Sequence, residues 1–152
     1  MTIGRGFHFV YDDDYKSASK LLSLLLEIVC KGGNLALNVS PQPDGRIPKN
    51  AKEILQELGA WLKKYGEAIY CTRPCAPYKV QDTFLTQTKE CIYAVAKGSL
   101  DYAIPCEQKI TKVEFLNGNR PVAFSQVDGK IMLTQKTETD EEYAVFKMYK
   151  QV

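Results

Sequence analysis

The chain lacks a hydrophobic run long enough to cross a bilayer. Its most apolar stretch, "LLSLLLEIV" at residues 21–29, is short and broken by Ser23 and Glu27. It also lacks an excess of charge: 20 basic against 18 acidic side chains leave a net charge of +2, which points neither to nucleic acid nor to an acidic partner. The opening "MTIGRGFHFVYDDD" has no basic leader, apolar segment or small-residue cleavage site, so the sequence as written carries no export address and assigns no compartment. The five cysteines, Cys30, Cys71, Cys75, Cys91 and Cys106, are odd in number and lack the tight spacing of a zinc ribbon or a secreted disulfide framework. Buried or free thiols are expected instead, with Cys71 and Cys75 the pair whose spacing allows a bridge.

What is present is the composition of an ordinary soluble protein, 45% apolar and 25% charged in 152 residues, enough for one good core or two small ones. From Tyr15 to Lys31 the apolar positions cover much more than one helical stripe, which predicts a largely buried helix. Asp12, Asp13 and Asp14 stand where acids favour a helix start, with Asp14 as N-cap, rather than as a cation site; Gly32-Gly33 supplies the stop. Residues 34–40, "NLALNVS", are apolar with little alternation, the pattern of a parallel strand covered on both faces. A Pro-Asp-Gly turn follows, and Pro48 suits the first turn of a second helix. In that helix Ala51, Ile54, Leu55, Leu58, Trp61, Leu62 and Tyr65 recur on one stripe, and Lys63, Lys64 and Gly66 close it.

Beyond "GEAIYCTRPCAPY" no helical period recurs. "DTFLTQTK", "ECIYAVAKG", "KITKVEFLNG", "RPVAFSQVDG", "KIMLTQK" and "EYAVFKMYK" are short, β-branched or aromatic, and separated by Gly, Asn-Gly or Asp-Gly. Strands at this spacing read as an antiparallel sandwich, with a domain boundary near Arg73 to Pro77. Tyr93, Tyr102, Phe115, Phe124, Tyr143, Phe146 and Tyr149 then fall to core or cross-strand positions, and Trp61 to the core stripe of its helix.

The run "YKSASKLLSLLLEIVCKGGNLALNVSPQPDGRIPKNAKEILQELGAWLKKYGEAIYCTRP" resembles the end of the catalytic domain of family 29 glycoside hydrolases, the α-L-fucosidases. The shared signals are YKSA, a helix ending in KGGN, an Asn-Leu-x-Leu-Asn strand before a Pro-Asp-Gly loop, and GEAIY-x-TRP. They span about residues 1 to 74. The resemblance implies an α+β chain: the last βα units of a (β/α)8-like barrel over residues 1–74, then a C-terminal antiparallel β-sandwich over 75–152. A whole barrel takes about 250 residues, so the chain is expected to be the C-terminal part of a longer enzyme.

In the resembled family a retaining mechanism sets an aspartate nucleophile and a separate acid/base carboxylate about 5 Å apart. Both are expected upstream of this chain, which leaves no catalytic residue here. Asp44 reads as a turn residue bonding its own backbone, so no carboxylate pair is formed. Within "RGFHFV" the resemblance implies that Phe7 and Phe9 occupy positions where the family's aromatic residues wall the fucose methyl group, with His8 in place of a glycine. The competing reading makes Phe7 and Phe9 core residues and His8 an unremarkable partly exposed imidazole. Asn38 is expected to satisfy backbone groups.

The implied activity is removal of terminal α-L-fucosyl residues from glycans by the intact enzyme, with the chain inactive alone. No metal or organic cofactor is implied. The implied partners are a fucosylated glycan, the missing N-terminal barrel segment and a second copy of the chain through its uncovered barrel remnant; no nucleic acid and no membrane is expected. The alternative is a noncatalytic sandwich module binding carbohydrate or another domain, for which exposed aromatics should line one sheet face.

Overall fold

A computed structural model describes residues 1–134, Thr137 and 139–151. Helix α1 (Ala18–Cys30) starts later than the acidic triplet suggested, because Ser17 and not Asp14 caps it: the Ser17 hydroxyl accepts the Lys20 N–H at 3.2 Å. Every residue from Leu21 to Cys30 is buried or half-buried, as its wide apolar surface required. The Gly32 N–H donates to Val29 O and the Gly33 N–H to Ile28 O, with Gly32 left-handed at φ +86°. This paired closure is the Schellman arrangement that a Gly-Gly stop permits.

Residues 34–40 do not form the doubly covered strand expected of them. They make a single parallel bridge, Thr2 to Asn38, supported by Ile3 N–H to Asn38 O (3.0 Å) and Asn38 N–H to Met1 O (2.9 Å). A strand covered on both sides needs two neighbours, and within the described residues this one has a single partner. Leu35, Leu37 and Val39 are therefore half-buried and Ala36 is exposed.

Helix α2 (Lys49–Tyr65) begins directly after Pro48 and buries Ala51, Leu58 and Tyr65. Gly66 does not end it in a left-handed cap. It is right-handed at φ −60° and continues into a 3-10 turn, Gly66–Ala68. Its lack of a side chain serves packing, since a Cβ there would lie 2.6 Å from the Tyr70 ring.

The remaining elements are antiparallel strands: β1 (Arg73–Val80), β2 (Thr83–Gln87), β3 (Cys91–Lys97), β4 (Ile104–Pro105), β5 (Ile110–Phe115), β6 (Arg120–Pro121), β7 (Phe124–Val127), β8 (Lys130–Leu133) and β9 (Tyr143–Lys150). One sheet has the order β1-β2-β3-β9-β5-β6 and a smaller one the order β4-β8-β7. The stretch read as one strand over 120–129 is two, β6 and β7, in different sheets, with Val122 buried between them. Asp128 and Gly129, both at positive φ, make the tight β7–β8 hairpin that Asp-Gly predicts. Gln135 and Lys136, the end of the expected "KIMLTQK" strand, lie outside the described residues.

β3 and β9 pair along their whole length at the centre of the large sheet. Alternation then sends Cys91, Tyr93, Val95, Tyr143 and Val145 into a core shared with α1 and α2. Ile92, Ala94, Ala96, Ala144, Phe146 and Met148 enter a second core with Ile104 and Ile131 of the small sheet. A sheet buried on both faces has unbroken apolar strands, which is how "CIYAVA" and "YAVF" read.

Candidate functional site

The parallel pair formed by residues 1–3 and 36–40 delivers two loops from the same end, residues 4–17 and 41–47. The first is held by a polar relay. Asn38 Nδ2 donates to the hydroxyls of Thr2 (3.5 Å) and Ser40 (3.4 Å), and both hydroxyls donate to Gly6 O, at 2.9 and 3.3 Å. Asn38 thus satisfies two side chains and, through them, one backbone carbonyl.

Two further clamps complete the loop. Lys16 Nζ donates to Thr2 O and Gly4 O, each at 2.9 Å. The Asp13 side chain, only 2% exposed, accepts the N–H groups of Arg5 (3.1 Å) and Asp14 (2.9 Å). Its carboxylate packs against Gly4 where any Cβ would collide with it. Sequence reasoning placed Asp13 in a helix-capping or solvated role. Its signal, a buried acid facing a glycine nine positions earlier, is tertiary and has no local pattern.

On this scaffold Phe7 is 71% exposed, His8 is exposed and Phe9 is half-buried. The His8 ring lies back over Gly6, 3.2 Å from where a Cβ would sit. Phe7 is therefore no core residue in this chain; in the same loop Tyr11, which the sequence did not single out, is 90% exposed. The arrangement can offer apolar contact to a ligand. Of its acids, Asp13 is committed to backbone and the neighbouring Arg46 holds the Asp44 carboxyl below its usual range, while Asp12 and Asp14 are exposed on the outside of the loop. Asp44 Oδ1 accepts the Arg46 N–H at 3.1 Å and Oδ2 the Arg46 Nε–H at 2.7 Å, the turn role expected of it. Among the described residues no cluster of His, Cys, Asp or Glu could hold a metal ion, and no helix is long and apolar enough to cross a membrane.

Among the described residues, Tyr78 on the edge strand β1, 45% exposed, is the aromatic that the sheets leave open. Phe84, Tyr93, Phe115, Tyr143 and Phe146 are all at most 4% exposed, and Trp61 packs its ring 5.4 Å from Tyr65 and 6.5 Å from Tyr143. The row of exposed aromatics that a carbohydrate-binding sheet face requires is not formed among the described residues.

Comparison with known proteins bears on the same region. Residues 1–67 match the family model described as Alpha-L-fucosidase. The chain is 31% identical over 130 residues, 80% of its length and 29% of the relative's, to an alpha-L-fucosidase of Branchiostoma floridae. It is 34% identical over 123 residues, 74% of its length and 27% of the relative's, to the plasma alpha-L-fucosidase of Rattus norvegicus. Among solved structures, Thermotoga maritima alpha-fucosidase in complex with fucose superposes with a TM-score of 0.81 at 29% identity, covering 97% of this chain and 38% of that one. Alpha-L-fucosidase isoenzyme 1 from Paenibacillus thiaminolyticus superposes at 0.86 with 23% identity, covering 100% and 39%, a likeness of fold. The chain therefore spans less than a third of these curated relatives.

Proposed function

We propose that this chain, which resembles the α-L-fucosidases of glycoside hydrolase family 29 in sequence and in fold, supplies the C-terminal part of such an enzyme. Residues 1–74 are the end of its catalytic barrel and 75–152 its C-terminal β-sandwich. The intact enzyme hydrolyses terminal α-L-fucosyl residues of glycans with retention, its nucleophile and acid/base being carried outside these 152 residues. The observation that carries this reading is the loop at Gly4–Phe9, tied by Thr2, Asn38 and Ser40 at the C-terminal end of a parallel pair, the end where such barrels gather their chemistry.

In this reading Phe7, His8 and Phe9 contribute to the sugar site. Phe7 presents an apolar face to the methyl side of fucose, where C–H groups are buried without stranding a hydroxyl. Phe9, half-buried, anchors the loop, and His8 sets its path over Gly6.

The test is hydrolysis of a chromogenic aryl α-L-fucoside by this chain alone and by the chain joined to the coding sequence that precedes it. No turnover by the first and turnover by the second are expected. Turnover by the isolated chain would overturn the assignment of the carboxylates to sequence outside it.

A further inference from the structure

Three cations from separate segments meet at one end of the large sheet, where β1 begins and β2 and β9 end. Arg73 opens β1, Lys89 stands in the turn between β2 and β3, and Lys150 closes β9; all three line a shallow hollow of about 490 Å³. Hydrogen bonds gather them. Arg73 pairs with Gln87 in the register of β1 on β2, and Gln87 Nε2 donates to Pro74 O at 2.8 Å. Lys150 Nζ donates to Gln87 Oε1 at 2.8 Å and to Thr88 O at 2.7 Å, and its backbone N–H donates to Glu90 O at 2.9 Å. The turn that carries Lys89 is closed by Thr88 N–H to Cys91 O at 2.8 Å and by Cys91 N–H to the Thr88 hydroxyl at 3.1 Å. Gln87 is thus a hub that holds β1, the turn and the end of β9 to one another.

The hollow is lined by these three cations, Cys71, Gln87 and Thr88, and by no carboxylate. Glu90 belongs to an adjoining hollow that shares Lys89 and Lys150. In a chain whose 20 basic and 18 acidic side chains nearly balance, this is a local excess of positive charge. Its donors are not all spent. Lys150 uses two of its three ammonium N–H groups. Arg73 Nη1 donates to the adjacent Thr72 O at 3.0 Å, and the rest of its guanidinium meets no acceptor among the described residues. Lys89 is exposed and makes no hydrogen bond or ion pair with any described residue. The Thr88 hydroxyl, which accepts from Cys91, keeps its own proton to give. Cationic donors without acceptors, set around a concave surface, are what an oxyanion requires.

We propose that this hollow binds a tetrahedral oxyanion, the sulfate or phosphate group of an ester or the free anion. The Arg73 guanidinium offers a two-pronged contact, Lys150 a point charge fixed by Gln87 and Thr88, and Lys89 a third charge from the turn. The site lies on the large sheet, apart from the loops at residues 4–17 and 41–47, and does not depend on what those loops bind.

Cys71 is exposed in the same hollow while Cys30, Cys75, Cys91 and Cys106 are buried, so its thiol serves as a reporter. The full chain is treated with dithiobis(nitrobenzoate), a dianionic disulfide, and separately with neutral dithiodipyridine. Arg73→Gln and Lys89→Gln should each slow the dianionic reagent by roughly 3-fold and leave the neutral one unchanged, which also shows that the fold is intact. Sodium sulfate, sodium phosphate and a sulfated galactose should each protect Cys71 from the neutral reagent in a saturable way, beyond sodium chloride at the same ionic strength. The double variant Arg73→Gln/Lys89→Gln should lose that protection. Stronger protection by the sulfated galactose than by inorganic sulfate assigns the group to a saccharide ester; equal or weaker protection assigns the site to the free anion. Protection matched by sodium chloride, or undiminished in the double variant, would overturn the proposal.

Discussion

Lys147 on β9 reaches across to Glu67 in the turn after α2, Nζ to Oε2 at 2.6 Å, while the Tyr93 hydroxyl donates to the same carboxylate oxygen at 3.0 Å. One carboxylate therefore links the helical layer to both central strands of the sheet. Lys147→Met, which keeps the stem and removes the charge, should destabilise the chain by about 1 to 2 kcal/mol, because Glu67 keeps one neutral donor in place of a cation. The denaturation midpoint should fall with the m-value unchanged.

The same cluster sets a limit at high pH. Burial, and then the bond to Glu67, pushes the Tyr93 hydroxyl up to about 12. The folded state thus keeps its proton while the unfolded chain loses one from pH 10 upward. Stability from this group is complete below pH 10 and is lost as pH rises toward 12, by roughly 3 kcal/mol in all. Lys147 is raised too: burial lowers it, but the bond to Glu67 and the charges of Tyr93, Glu67 and Tyr149 together raise it further, and it acts in the same direction. Thermal scans between pH 8 and 12 should show Tm falling above pH 10, with a shallower fall in Tyr93→Phe.

Asp13→Ala removes the acceptor of two backbone N–H groups from a nearly closed site. It should cost about 1 to 3 kcal/mol. The loss should be local, appearing as faster hydrogen exchange at Arg5 and Asp14 before any change in the sheet. Gly4→Ala should give the same signature by displacing the carboxylate.

Phe7→Ala should leave folding stability within about 0.5 kcal/mol, since its ring is exposed. Under the proposed function it should raise KM for an aryl fucoside once the chain is joined to the rest of the enzyme. Phe9→Ala, half-buried, should lower both stability and activity. Equal effects of the two variants on stability would show Phe7 to be a packing residue.

We also expect the isolated chain to self-associate. Among the described residues the parallel pair has an unpaired side, and the loops that leave it expose Phe7, Tyr11 and Ile47 (48% exposed). Sedimentation velocity over a concentration series should show a dimer or larger species. A monomer at high concentration would mean that this surface is tolerated in water.

Both helices were legible because each carries a local period and one local boundary signal: the Leu21–Val29 run stopped by Gly32-Gly33, and the Ala51–Tyr65 stripe started behind Pro48. The central strands were legible from their β-branched and aromatic content. β1 was not, because Pro74 and Pro77 mark a break in a sequence, whereas in space they sit on an edge strand that tolerates them. Residues 34–40 have a buried strand's composition without a second neighbour in this chain to bury them. At the loop, Phe7 and Phe9 were named only through family resemblance. Asp13 was read only as part of the acidic triplet, and Lys16 and Thr2 were not singled out, because partners 8, 12 and 14, and 36 positions away form no local pattern.

β3 and β9, dry on both sides, make the large sheet a party wall between two rooms. Cys91, Tyr93, Val95 and Val145 furnish one, Ile92, Ala94 and Phe146 the other, and demolishing either room leaves the wall standing in the rain. The change of texture near Pro74 marks where the chain alters its grammar. It is no line along which the protein can be cut and its halves expected to stand.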